Sequence, residues 1–162
     1  MAVFKVVNTV GKYHDAEARD DVINYILRSD KVKSGYAGVC ALDPFVDIVV
    51  QMEETSESFA KDKGVRLRHW VISFDTNEVT NPSIVNEIAL KVAMAIGANF
   101  QTVYAVHEDK FYLHFHLVYN AVSYVDGHRF YGTRADFYEF SNLLKTVCTQ
   151  YGIRTVIYSK KK

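Results

Sequence analysis

The chain has 162 residues, 49% of them hydrophobic and 23% charged, a balance that excludes a disordered or fibrous protein and fits one ordinary folded domain. A chain this long buries roughly 70% of its unfolded surface, enough for a core without disulfides or a structural metal. Its 19 basic and 19 acidic residues cancel, so a nucleic-acid partner would need a local basic patch.

In chain order, residues 2–10 are rich in β-branched side chains and end at Gly11, which predicts a strand. Asp15 can cap a helix running to about Arg28, with Val22, Ile23, Ile26 and Leu27 as its apolar stripe and Tyr25 flanking it. The glycines and lysines of 29–43 predict a loop with at most one short strand. Asp43-Pro44 opens a helix bearing Phe45, Ile48, Val49, Met52 and Phe59, closed at Lys63-Gly64. Residues 66–75 read as a strand, and Asn81-Pro82 starts a helix with Ile84, Ile88, Val92 and Ile96 at i+4 before Gly97. Segments 100–107 and 112–123 are strands joined by four residues, so an antiparallel hairpin is the default. Asp126-Gly127 turns the chain, Thr133 and Asp136 form a capping box for a helix with Phe137, Phe140, Leu144 and Val147, and residues 153–159 make a last strand.

This order predicts one α+β domain over residues 1–158, with a mainly antiparallel central sheet and helices packed on one face. Residues 159–162 form a basic tail, read as the start of a further C-terminal region. No stretch approaches the ~18 apolar residues of a membrane span, so no membrane insertion is expected. Cys40 and Cys148 have no CxxC pairing and read as free thiols, which suits a cytoplasmic protein.

Chemistry concentrates at 107–120. His114 and His116 are two apart on a strand and leave the same face, with Val118 and Asn120, while Leu113, Phe115, Leu117 and Tyr119 form an apolar face to be covered by helices. If the hairpin sets His107 beside His114, three imidazoles converge. Three neutral rings suit a divalent transition metal with open positions for substrate oxygen. Asp109 is placed to accept the far ring N–H of one ligand and fix its tautomer. His14 and His128 read as surface residues, and His69 as a packed histidine.

The pattern HxDxxxxHxH followed by Asn, here His107, Asp109, His114, His116 and Asn120, resembles the third motif of conjugative relaxases, the mobilisation nucleases of the HUH endonuclease superfamily. NYILRSDK (24–31) is similar to the first motif of the single-tyrosine branch, RHWVISFD to its middle strand, and NAVSYVDGHRFYG to the segment after the histidines. The resemblance runs from about residue 3 to 157. It departs at Tyr112, where relatives often carry another histidine, in the neutral charge, and in lacking a long C-terminal region.

The resemblance implies an HUH-like fold and a relaxase that nicks and rejoins one DNA strand at an origin of transfer. Its cofactor would be a divalent metal, Mg²⁺ or Mn²⁺, held by His107, His114 and His116. Tyr25 would be the nucleophile, assisted by Asp109, with Asn120 structural near the site; Tyr13 and Tyr36 stay open as alternatives. Single-stranded DNA and accessory mobilisation proteins would be the partners. Lys31 and Lys33 after the tyrosine helix, and Arg129 and Arg134 after the histidine strand, are candidate phosphate ligands, with Phe130 or Tyr131 to stack a base. Two rival readings remain: a single-strand nucleic-acid binding module that keeps the metal site without cutting, and a metal hydrolase using water.

Overall fold

The two strands around the histidines sit side by side within one sheet, in a computed structural model that describes residues 2–6 and 13–157. They are β4 (Thr102–His107) and β5 (His114–Asn120), both buried along their whole length. Around them lie β1 (Ala2–Val6), β2 (Ala37–Cys40), β3 (Leu67–Phe74) and β6 (Thr155–Ile157), in the order β2-β4-β5-β3-β1-β6. Every pairing is antiparallel except the parallel β1–β6 pair at one edge. The helices are α1 (Ala18–Ile26), α2 (Ile48–Ser58), α3 (Pro82–Ile96) and α4 (Arg134–Thr149). The α+β class and the mainly antiparallel sheet are those the sequence predicts. Residues 7–10 of the first predicted strand, residues 158–159 of the last, and the basic tail lie outside the described residues.

Period-two alternation assigns the two sheet faces. Phe115, Leu117 and Tyr119 join Trp70, Ile72, Phe74, Tyr104 and Val106 in a core closed by α3 and α4. Trp70 stacks on Phe140 of α4 at 3.9 Å between centroids and donates its Nε1–H to the Tyr119 hydroxyl at 2.8 Å, so the one polar atom of that indole is satisfied. A single helical layer is the sequence expectation, but helices cover both faces. The histidine face is apolar at one end, where Leu67, Val103, Ala105 and Val118 stand, and α1 and α2 bury that end with Val22, Ile23, Ile26, Val49 and Met52. Burying each such side chain stabilises the fold by about 1.5–3 kcal/mol.

The second helix begins later than Asp43-Pro44 suggests. The Asp43 carboxylate accepts the Phe45 N–H at 2.9 Å in a local turn, while Asp47 caps α2 by accepting from Val50 N–H at 3.0 Å. Phe45 therefore precedes the helix and is 96% exposed instead of packed. The Asp126-Gly127 turn and the Thr133/Asp136 capping box form as predicted; Gly127 has φ +74°, and a Cβ there would strike the Phe59 ring.

Candidate active site

The hairpin register pairs His107 directly with His114, and Val71 of β3 with His116. The three rings follow from this: centroids lie 4.1 Å apart for His107 and His116, 5.1 Å for His107 and His114, and 5.3 Å for His114 and His116. One ring nitrogen from each falls within 4.8 Å of the others. All three residues are buried.

Each imidazole has one nitrogen engaged by the protein and one left over. His107 Nε2 lies 2.7 Å from the Ile26 carbonyl; a carbonyl only accepts, so Nε2 carries the proton and Nδ1 is bare. His114 Nδ1 faces the Tyr112 carbonyl at 3.4 Å, leaving Nε2. His116 Nδ1 lies 2.6 Å from His69 Nε2, again leaving its own Nε2. Burial pushes the pKa of His107 and His116 down, and that of His114 down to about 4, so the rings are neutral at physiological pH. Three converging neutral nitrogen donors fit a divalent transition ion.

The helix that carries Tyr25 is fastened at both ends of this face. At its start Arg19, 1% exposed, donates to Asp62 at 2.9 Å, Ser56 at 3.0 Å and Asn120 Oδ1 at 3.1 Å. At its end the Ile26 carbonyl takes the His107 proton. From Arg19 to Tyr25 the helix rises about 9 Å, and from Asn120 back to His116 the strand spans about 13 Å, so Tyr25 arrives over the histidines. Its ring centroid is 5.9 Å from His116 and 6.2 Å from His107, and the residue is 40% exposed. Tyr13 is instead buried against His69, its phenol pushed up to about 12 by burial, and Tyr36 packs on the helix-covered core of the other face.

Asp109 differs from its expected role. No ring N–H of His107, His114 or His116 reaches it; the nearest approach is His114 Nε2 at 3.9 Å, on the bare side of that ring. Its carboxylate holds Lys31 at 2.8 Å, and Lys31 Nζ in turn lies 5.3 Å from the Tyr25 ring centroid. Burial pushes the Asp109 carboxyl up, but Lys31 outweighs it and holds the group below its usual range; the same bond raises Lys31. Ser34 also bonds Glu108, so the loop after α1 is tied to the hairpin tip, with Lys33 exposed beside it.

The two arginines lie elsewhere. Arg129 gives its guanidinium to the carbonyls of Lys61, Lys63 and Val65 and sits beyond the Asn120 end of β5, opposite to the histidine end. Arg134 is exposed at the start of α4, on the other side of the sheet, against the Tyr138 ring. Phe130 is part-buried against Phe100 and Tyr119, while Tyr131 is exposed. Asn120 is fully buried and donates to the Met52 carbonyl at 3.1 Å, which makes it a tie between β5 and α2. Two groups escape the sequence reading: His69, whose partner His116 comes into reach only because β3 pairs with β5, and the hairpin-tip aromatics Phe111, 91% exposed, and Tyr112, whose ring is 5.5 Å from His114. These two aromatics, with Val3, Ser73, Phe74, Asp75 and Thr76, line an open cleft of about 290 Å³.

The chain is 28% identical over 156 residues to a protein rlx of Staphylococcus aureus, covering 94% of this chain and 44% of that protein. It is 24% identical over 143 residues to a second S. aureus protein rlx, covering 88% and 41%. The chain thus spans less than half the length of these curated relatives. A solved structure described as "Molecular Basis of Vancomycin Resistance Transfer in Staphylococcus aureus" is similar with TM-score 0.49, 15% identity and coverage of 76% of this chain and 75% of that one. No helix among the described residues is long and apolar enough to cross a membrane. The family model for the MobA/VirD2-like relaxase nuclease domain matches residues 25–153, most of the chain, and the chain belongs to that family.

Proposed function

We propose that this chain is the nicking domain of a relaxase, cutting and rejoining one DNA strand at an origin of transfer through a 5′-phosphotyrosyl intermediate on Tyr25. The observation that carries this reading is the position of the Tyr25 ring, about 6 Å from the rings of His107 and His116 and open to solvent. Attack of the Tyr25 hydroxyl forms a P–O(Tyr) bond and breaks the P–O3′ bond, freeing a 3′-OH. One phosphodiester replaces another, so the step is close to balanced and reversible, which suits rejoining. A phenol is a weak nucleophile at neutral pH and needs a neighbouring cation or base. Lys31, held by Asp109 and facing the Tyr25 ring, supplies positive charge for the phenolate and the phosphate. His107, His114 and His116 would hold a divalent ion, which when bound supplies Lewis-acid polarisation of a non-bridging phosphate oxygen. An all-imidazole donor set favours Mn²⁺ over Mg²⁺, which prefers oxygen ligands.

The strand would run from the histidines toward the hairpin tip, where Phe111 and Tyr112 offer exposed faces to an unpaired base. Incubation of the chain and Mn²⁺ with a random-sequence single-stranded DNA library, followed by sequencing of protein-linked fragments, tests the proposal. Covalent capture of a defined sequence is expected. Binding without capture would favour the non-cutting module, and cleavage without a protein–DNA bond would favour a hydrolase.

A further inference from the structure

Behind the metal-facing side of His116 runs a buried chain of hydrogen-bonding groups outside the HxDxxxxHxH pattern. Tyr13 Oη lies 2.9 Å from His69 Nδ1, and His69 Nε2 lies 2.6 Å from His116 Nδ1. The three side chains come from the segment before α1, from β3 and from β5, and all are buried. The His69 ring lies 4.9 Å from that of His116 and 6.1 Å from that of Tyr13. We propose that His69 and Tyr13 are positioning residues that fix the ring of His116 and select its metal-binding tautomer, with His69 accepting from His116 and donating to Tyr13. This rests on His116 being a metal ligand.

The direction of the chain follows from lone-pair accounting. A metal on His116 Nε2 takes that nitrogen's lone pair, so the ring proton must reside on Nδ1. Nδ1–H then donates to His69 Nε2, which must be bare, and His69 carries its own proton on Nδ1. That proton points at Tyr13 Oη, whose lone pairs accept it. The reverse arrangement, with Tyr13 donating to His69 and His69 to His116, leaves the proton on His116 Nε2 and blocks the ligand position. The same three side chains thus admit two proton arrangements, and only the one with His69 Nε2 bare and its proton on Nδ1 leaves His116 Nε2 open to a metal. His107 and His114 have no such choice, because a carbonyl faces the protonated nitrogen of each.

Long-range ¹⁵N–¹H spectra of the wild-type chain loaded with Zn²⁺ read the tautomers directly. His116 protonated at Nδ1 and metallated at Nε2, with His69 protonated at Nδ1, is the expected result; His69 protonated at Nε2 would overturn the proposal. Calorimetry with Mn²⁺ supplies the second arm. His69→Leu should lose roughly 10 to 100-fold in affinity, the range for removing a group that orients a metal ligand. His69→Gln, whose Oε1 can accept from His116 Nδ1–H, should recover most of that loss. A folded His69→Leu protein with wild-type affinity, or a folded His69→Gln protein no better than His69→Leu, would overturn it. Failure of the wild-type chain to bind either ion would count against the metal site itself, a separate result.

Discussion

Arg19 and Asp62 form a buried ion pair whose two halves are not equivalent, and their removal is predicted to have unequal consequences. Arg19 is 1% exposed, whereas Asp62 is 24% exposed and also lies 3.3 Å from Arg66 Nε. In Asp62→Ala the guanidinium remains buried with only the neutral oxygens of Ser56 and Asn120 for company. Leaving a buried charge without its counterion costs about 3–5 kcal/mol, equivalent to a fall in Tm of roughly 6–20 °C for a chain of this size. Arg19→Met removes the charge, fills the space with an apolar chain and leaves Asp62 its solvent and Arg66, so the cost should stay within about 2 kcal/mol. Urea denaturation of both variants and wild type, with m-values compared to verify two-state behaviour, measures the difference. An Asp62→Ala cost below about 1 kcal/mol, or a larger cost for Arg19→Met, would refute the reasoning.

Five further outcomes are expected. His114→Ala/His116→Ala should lose more Mn²⁺ affinity by calorimetry than the roughly 10 to 100-fold typical of a supporting residue, while the metal-free chain keeps its far-ultraviolet circular dichroism. In the metal-free protein, the His107, His114 and His116 pKa values are depressed on folding, so their stability contribution is complete above about pH 6.5. It should be lost as pH falls through the value of about 4 for His114, visible in denaturant midpoints that shift downward over that window. Phe111→Ala should weaken single-stranded DNA binding by about 1–3 kcal/mol in fluorescence anisotropy without changing stability, since the ring is 91% exposed. Lys31→Ala/Lys33→Ala should flatten the salt dependence of that binding by up to about 0.7 per lost phosphate contact. Arg129→Ala should leave the slope unchanged and lower Tm, because its partners are backbone carbonyls.

The histidine hairpin was legible because two alternating strands with a short connection pair as antiparallel neighbours; the connection is six residues, 108–113, instead of the four expected, and that register brings His107 opposite His114. Contacts between distant segments carry no such local signal. Nothing in the periodicity of residues 66–75 says that this strand will lie against β5, so His69 reads as an ordinary packed residue until the β3–β5 pairing sets it diagonally from His116. The partners of Asp109 and Arg129 are not legible in the sequence for a related reason. Spacing identifies a carboxylate near a histidine and a cation near a strand end, but the Lys31 ammonium and the 61–65 carbonyls that claim them arrive through tertiary packing. The late start of α2 has a local cause: two aspartates four positions apart offer the same cap, and only Asp47 has its amide partner in the helical turn.

The central claim is that Tyr25 forms the bond to DNA, and peptide mapping of the covalent adduct tests it most directly. Wild type and Tyr25→Phe are incubated with Mn²⁺ and the captured single-stranded sequence, then digested, and the DNA-linked peptide is sequenced by mass spectrometry. The account predicts an adduct on Tyr25 in wild type and none in Tyr25→Phe, which should keep its metal affinity because the phenol is not a ligand. An adduct on another residue, or one that persists in Tyr25→Phe, would contradict it.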